Sequence, residues 1–319
     1  MEGKLYLCPT PIGNLGDMSQ RTLETLQAVD LIAAEDTRNT GLLLARYDIK
    51  APLISYHQHN EKQRSQELIE RMQQGAQIAL VTDAGMPAIS DPGQILVRRC
   101  HEAGVSVTAL PGPCAFVTAL ALSGLDSRRF IFEGFLPVDK KERRQVLEDL
   151  RTARRTMIFY EAPHRVKETL KTMAEVAGDR PAAAVRELTK KFEEIKLMKL
   201  ADLAAYYEEN EPRGEYVLLV EGQTAEQQEE TRKQQFEGLT LEQHMALYAD
   251  LPEKEAMKAV AKDLGISKRD VYAQLKKPDA ADKSCKSEKR NKIFTNPVLP
   301  HRIFWYILKS SYEERKFSK

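Results

Sequence analysis

The sequence is poor in cysteine and tryptophan and has no long apolar run. Its four cysteines, Cys8, Cys100, Cys114 and Cys285, stand far apart with no C-x-x-C pair. That spacing excludes a disulfide framework and reads as reduced thiols of a cytosolic protein. No stretch approaches the roughly 20 apolar residues that a bilayer-spanning helix needs. The opening MEGKLYLCPTPIG has one lysine and a short apolar run ending in proline and glycine, which reads as a first strand rather than a signal peptide. There is no G-K-[S/T] phosphate loop, no G-x-G-x-x-G fingerprint and no short-period repeat. Charge of one sign is lacking too, with 48 Lys/Arg against 47 Asp/Glu. The balance hides an asymmetry: residues 281–319 hold ten basic and four acidic side chains. The rest of the chain is therefore mildly acidic, and any nucleic-acid surface on it must be a local patch.

What is present is a two-domain α/β pattern with appendages. At 319 residues the chain is too long for one ordinary core. Over 1–125, apolar runs of strand length at 5–9, 30–35, 77–83 and 105–111 alternate with helical patterns at 19–28, 37–47, 60–74, 92–103 and 114–123. Such alternation with short loops predicts a largely parallel sheet. A second set over 126–222 predicts strands at 129–135, 156–160, 182–188, 192–198 and 215–222, with helices between them. One antiparallel hairpin is expected about the Thr-Lys-Lys turn. Residues 223–238 are polar and read as a linker that is helical in part. Residues 239–279 read as a small helical unit containing a helix-turn-helix, with Gly265 ending one helix and Ser267 with Asp270 capping the next. Residues 280–319 form a basic tail too short for a core of its own.

Open α/β sheets bind ligands beyond the carboxyl ends of their strands, and several unusual loops fall there. PTPIGNLGD (9–17) is rich in Pro and Gly. TDAGMPAISDPG (82–93) follows the most apolar strand and places Asp83 where that strand stops, its carboxylate facing the crevice. Asp91, before Pro92-Gly93, reads as a helix cap. LPGPCA (110–115) is a rigid turn opening a helix. AAEDTRNT (33–40) sets Glu35, Asp36 and Arg38 at the same edge, and FYEAPHRV (159–166) sets Tyr160, Glu161, His164 and Arg165 at a strand end of the second domain. His57 and His59 have metal-like spacing but no third ligand, so no metal is assigned.

Taken in order, PTPIGNLGDMS, IAAEDTR, TDAGMPAISDPG, LPGPCA, FEGFLP, FYEAPHR and RELTKKFEEI resemble the successive motifs of the tetrapyrrole-methylase-fold (class III) methyltransferases. The resemblance is nearest to the branch that methylates a cytidine 2′-hydroxyl of 16S ribosomal RNA. It runs from about Lys4 to Gly222. It implies two α/β domains with S-adenosyl-L-methionine in the cleft between them, lined by Asp83, Ala84, Gly85, Met86, Cys114 and Ala115. From the second domain, Tyr160, Arg186, Glu187 and Leu188 would close it. It implies a decoding-centre cytidine in the small ribosomal subunit as target, a homodimer, and a helical extension like 239–279. The chain departs from the family pattern at Met86, where Thr is usual, at Cys114, where Ser is usual, and in the second-domain hairpin, where KLM (196–198) stands and a Gly is usual.

A 2′-hydroxyl must lose its proton as it takes a methyl group. The proton-accepting candidates are Glu35 and Asp17, then Asp36, with His164 as the imidazole alternative. For RNA contact the candidates are Arg38, Arg165 and the basic run 140–155, led by Lys140, Lys141, Arg143 and Arg144. Two rival functions fit parts of the pattern: a small-molecule methyltransferase of the same fold, and a non-catalytic RNA-binding protein.

Overall fold

The computed structural model describes residues 2–236 and 238–275. The basic tail assigned to 280–319 lies outside the described residues, as do residues 276–279 of the helical unit. Two compact units are formed, one ending at Gln235 and one beginning at Phe236.

The first unit contains two five-stranded sheets. In chain order its first half runs β1 (Lys4–Leu7), a 3₁₀ turn (Leu15–Asp17), α1 (Gln20–Ala28), β2 (Leu31–Ala34), α2 (Thr37–Arg46), β3 (Leu53–Ser55), α3 (Glu61–Gln73), β4 (Gln77–Val81), α4 (Gln94–Glu102), β5 (Ser106–Ala109) and α5 (Ala115–Ser123). The strands are all parallel in the order β3-β2-β4-β1-β5. Both faces are covered, which is why these strands read as continuous apolar runs. Leu5, Leu31, Ile78 and Leu80 pack under α3 and α4 through Leu68, Met72 and Leu96. Ile32, Ala79 and Val81 pack against Leu26 of α1 and Leu44 of α2.

The second half runs β6 (Phe130–Phe135), α6 (Lys140–Asp149), β7 (Thr156–Glu161), α7 (Pro163–Ala177), β8 (Pro181–Arg186), β9 (Glu194–Lys199), α8 (Leu200–Glu209), β10 (Tyr216–Val220) and α9 (Ala225–Gln235). Its sheet is mixed, in the order β6-β7-β10-β8-β9. The expected hairpin is present as antiparallel β8 and β9. Its turn is longer than the sequence suggests: β8 stops at Arg186, and the connection carries Glu187 and Thr189 at φ 51° and 63°. Alternate residues face opposite sides, as a strand requires. Met157, Phe159 and Leu218 meet α6–α8, while Ile158, Val217 and Leu219 meet Ala119 and Leu120 of α5. A helix from the first sheet thus covers one face of the second, and the two halves share a core.

The second unit is a three-helix cluster, α10 (Leu241–Ala246), α11 (Glu253–Leu264) and α12 (Lys268–Leu275). Gly265 ends α11 in the left-handed region, and Ser267 and Asp270 exchange capping hydrogen bonds. Met257, Val260 and Val271 form its core. Asp263 accepts from the Tyr248 hydroxyl and contacts buried His244 at 3.1 Å.

Candidate active site

The sheet register brings the unusual loops of the first half together. Ala34 pairs with Ser55 and with Val81, and Leu7 with Leu80. The residues just beyond β2, β4 and β1 therefore stand side by side at the carboxyl edge. There the PTPIG loop is fastened to the DAGM loop by a two-way backbone bridge between Thr10 and Gly85, at 2.9 and 3.1 Å. Thr10 also donates its hydroxyl to the Thr82 carbonyl at 3.0 Å. Gly85 sits at φ +86°, where a side chain is strained.

Around this fastening lie three carboxylates. Thr82 donates its hydroxyl to Glu35 at 2.8 Å. Asp83 accepts from the Asn39 side-chain amide at 3.1 Å. Asp91 is half-buried, and burial together with the nearby negative charges of Glu35 and Asp83 pushes its carboxyl up to about 6. Asp91 is therefore no helix cap. α4 begins at Gln94, and Gly93 occupies its cap position at φ 142°, where an added Cβ would lie 2.8 Å from Leu80. Ala88 and Ser90, at φ 69° and 62°, bend the chain so that Asp91 turns back toward Glu35. The dipeptide Pro-Gly signalled a helix start; the pair of left-handed non-glycine residues that re-aims Asp91 has no sequence signature.

The cofactor candidates from both halves converge on the same edge. Tyr160, at the carboxyl end of β7, lies beside Cys114 and Asp91, and burial first and then those neighbours hold its hydroxyl well above the ordinary phenol range. Cys114 opens α5, and burial raises its thiol, which makes it a poor nucleophile. Leu188 is buried with Ile12, Ala115 and Phe116 in the shared core, an apolar floor for the cleft. The bulge at Gly134 of β6 would bring a Cβ to 3.0 Å from Ser90, so the second sheet reaches the DAGMPAISDPG loop directly. Ala84 is exposed and Met86 half-buried in that loop. Arg186 leans 3.6 Å from Glu194, and Glu187 accepts from Lys190 at 3.0 Å. A depression of about 180 Å³ runs along the edge, lined by Pro11, Gly13, Leu15, Asn39, Thr40, Leu43, Thr82 and Asp83.

The other candidates separate. Of the proton acceptors, Glu35 belongs to the carboxylate group. Asp36 caps α2 and grips Arg38 with both oxygens, at 3.2 and 2.8 Å, and that pairing holds its carboxyl down at about 2. Asp17 ends the exposed 3₁₀ turn, and His164 is exposed in the first turn of α7. Arg165 holds the β6–α6 connection through the Leu136 and Pro137 carbonyls and pairs with buried Glu161 at 3.2 Å. On α6, Lys140 and Arg143 share Glu168, and Arg144 takes Glu148 and Glu175, while Lys141 is exposed. Asn39, Thr82, Thr10 and Asp91 were not singled out as site residues by sequence reasoning. The register, which pairs separate strand ends, brings in the first three, and the left-handed backbone at Ala88 and Ser90 brings in Asp91.

The sequence profile of the tetrapyrrole (corrin/porphyrin) methylases matches residues 4–204. A ribosomal RNA small subunit methyltransferase I of Escherichia coli O157:H7 is 48% identical over 274 residues, 85% of this chain and 94% of that one. The protein of the same name in Bacillus subtilis (strain 168) is 47% identical over 272 residues, 85% of this chain and 93% of that one. Among solved structures, a cobalt precorrin-4 methyltransferase of cobalamin biosynthesis superposes with a TM-score of 0.51 at 22% identity, covering 68% of this chain and 94% of its own. A diphthine synthase reaches 0.53 at 14% identity, covering 69% and 90%. At those identities the structures establish the fold alone.

Proposed function

The chain belongs to the tetrapyrrole methylases, in the ribosomal RNA small subunit methyltransferase I family, and from that membership we propose that it transfers a methyl group from S-adenosyl-L-methionine to the ribose 2′-hydroxyl of a decoding-centre cytidine in 16S rRNA. The observation that carries the cofactor half is the carboxylate group Glu35, Asp83 and Asp91. Burial first, and then the negative charges of Glu35 and Asp83, raise the Asp91 carboxyl, so a cation at this site would be stabilised by the group. S-adenosylmethionine has a cationic sulfonium and a cationic amine, and the neighbouring floor of Ile12, Ala115 and Leu188 offers apolar surface for the face of its adenine ring. The group fits the residues present.

When bound, S-adenosylmethionine supplies a methyl group on positively charged sulfur. Asp83, which accepts a hydrogen bond from Asn39, would hold polar atoms of the ligand. Ala84, Gly85 and Met86 with Cys114 and Ala115 would form one wall. Tyr160 and the segment Arg186, Glu187 and Leu188 would close the other, with the bent backbone at Glu187 fixing the loop. Glu35 is the proton acceptor in this reading, because it is the carboxylate candidate inside the group and its partner there is the neutral Thr82 hydroxyl. Asp36 is held by Arg38 too firmly to take up a proton near neutral pH. Arg38, exposed at the same edge, would face the RNA backbone.

Two finer points belong to the same reading. The chain acts in the cytoplasm, and it acts as a homodimer. α5 has the sequence AFVTALALS, without a charged side chain, and Val117, Ala121 and Leu122 are exposed on it. A helix apolar on all sides is a helix meant to be covered. Titration calorimetry of the full chain with S-adenosylmethionine tests the cofactor assignment: binding is expected for the wild-type chain and at least about tenfold weaker binding for Asp83→Ala. A wild-type chain that does not bind it, or an Asp83→Ala variant that binds equally well, contradicts the reading.

A further inference from the structure

The run 140–155, read as one basic stretch, divides in the structure. α6 ends at Asp149, and the charges of Lys140, Arg143 and Arg144 are matched by glutamates. The remaining arginines of the run, Arg151, Arg154 and Arg155, are exposed in the loop before β7. Among the described residues, no acidic side chain lies within salt-bridge distance of any of them. The parallel register of Phe130 with Thr156 puts Arg129 directly beside Arg155. Behind the loop stands Arg180, at the start of β8 and only 2% exposed. Five arginines therefore crowd one end of the second sheet, opposite the end that carries Tyr160 and Arg186.

Folding alone does not account for this arrangement. Arg180 donates to the Arg151 carbonyl, and its other terminal nitrogen is buried without a partner. Burial, and then the like charge of Arg151, pull its guanidinium down to about 10. Of the acidic groups at this end, Asp126 is engaged with Arg128, Asp179 with Lys199, and Glu226 with Thr224 and its own helix start, while Glu221, directly after β10, comes within salt-bridge distance of none of these arginines. The loop is also braced. The Gln223 amide donates to Ala153 at 2.7 Å, and the Gln228 side chain to Thr152 at 2.7 Å. A Cβ on Gly222 would overlap the backbone of Arg154 and Arg155. Exposed arginines on a rigid loop form fork-shaped donors already spaced for phosphate oxygens, with little ordering left to do on binding.

We propose that Arg129, Arg151, Arg154 and Arg155 form a phosphate-binding rim that holds ribosomal RNA backbone at a second point, away from the cleft. The inference rests on the RNA-methyltransferase reading. Arg155 directly precedes β7 and Tyr160 is the fifth residue of that strand, about 17 Å away at strand rise. A folded RNA within a ribosomal subunit spans that distance easily, so one substrate engages both ends of the sheet.

The test is binding of a fluorescent 20-nucleotide RNA to the full-length protein across a salt series. It compares wild type, a rim variant (Arg129→Glu, Arg154→Glu, Arg155→Glu) and an α6 variant (Lys140→Glu, Lys141→Glu, Arg144→Glu). The rim variant should bind at least tenfold more weakly. Its slope of log affinity on log salt should fall by about 0.7 to 0.9 for each phosphate that the variant no longer neutralises. Calorimetric affinity for S-adenosylmethionine should not change, and Arg→Gln versions should show the same order at smaller size. A rim variant with wild-type affinity and slope, or an α6 variant weakened as much, overturns the rim. If the wild-type chain binds the RNA through the rim yet transfers no methyl group to small subunits, the rim stands and the RNA-methyltransferase reading fails.

Discussion

At the scale of single residues, Asp91 has the most to say about the site. Its folded carboxyl lies near 6, above the value near 3.9 expected in an unfolded chain. The folded state keeps that proton longer, so stability present at pH 4 is lost as the pH rises through 6. Asp91→Asn should therefore be more stable than wild type at pH 7.5 by about 1–2 kcal/mol, a figure reduced because the group is half-exposed. The difference should vanish near pH 4, as urea denaturation at the two pH values would show. A gap that grows toward acid pH would mean that Asp91 has a cationic partner in the fold. The same carboxyl makes cation binding pH-dependent. Affinity for S-adenosylmethionine should rise up to about tenfold between pH 5 and 7.5, and the rise should flatten in Asp91→Asn. Asp83 could be placed from sequence because it ends an apolar strand. Asp91 could not, because its direction depends on left-handed backbone at Ala88 and Ser90.

At the scale of elements, the strands and helices follow their apolar patterns closely, and the exceptions have physical causes. β3 has three half-buried residues at a sheet edge, too few for a period to register. The loops carry what the pattern omits. Gly112 lies so near Pro9 that a Cβ there would overlap the proline ring, which fixes the LPGPCA loop against the first loop of the site. Gly112→Ala must push the two apart. S-adenosylmethionine affinity should fall by at least about tenfold, with a stability loss of only about 1–3 kcal/mol. Calorimetry alongside thermal unfolding separates the two effects, and an unchanged affinity would show that this loop does not shape the site. The basic run 140–155 gives the opposite lesson. Its composition was plain, but only the fold shows that α6 shares its charges with α7 while the loop beyond it does not.

At the scale of the whole molecule, the exposed apolar face of α5 bears on assembly. Val117 and Leu122 are 49% and 45% exposed, and burying them against a second copy would remove both from water. Light scattering should give twice the chain mass for wild type and the single-chain mass for Val117→Asp/Leu122→Glu. Equal masses would remove this helix from the interface. The fold and the methyltransferase assignment could be read from ordered motifs along the sequence, and the family relatives agree with both. Which of the edge loops touch one another, over separations of 44 residues (Asn39 to Asp83) and more, could not, because it depends on strand order β3-β2-β4-β1-β5. The central claim is chemical, and one measurement addresses it most directly: transfer of tritiated methyl from S-adenosylmethionine to small ribosomal subunits from a strain lacking this gene. Label is expected in 16S rRNA, released by nuclease digestion as a ribose-methylated cytidine. No label in the RNA, or label in a small molecule instead, would contradict it.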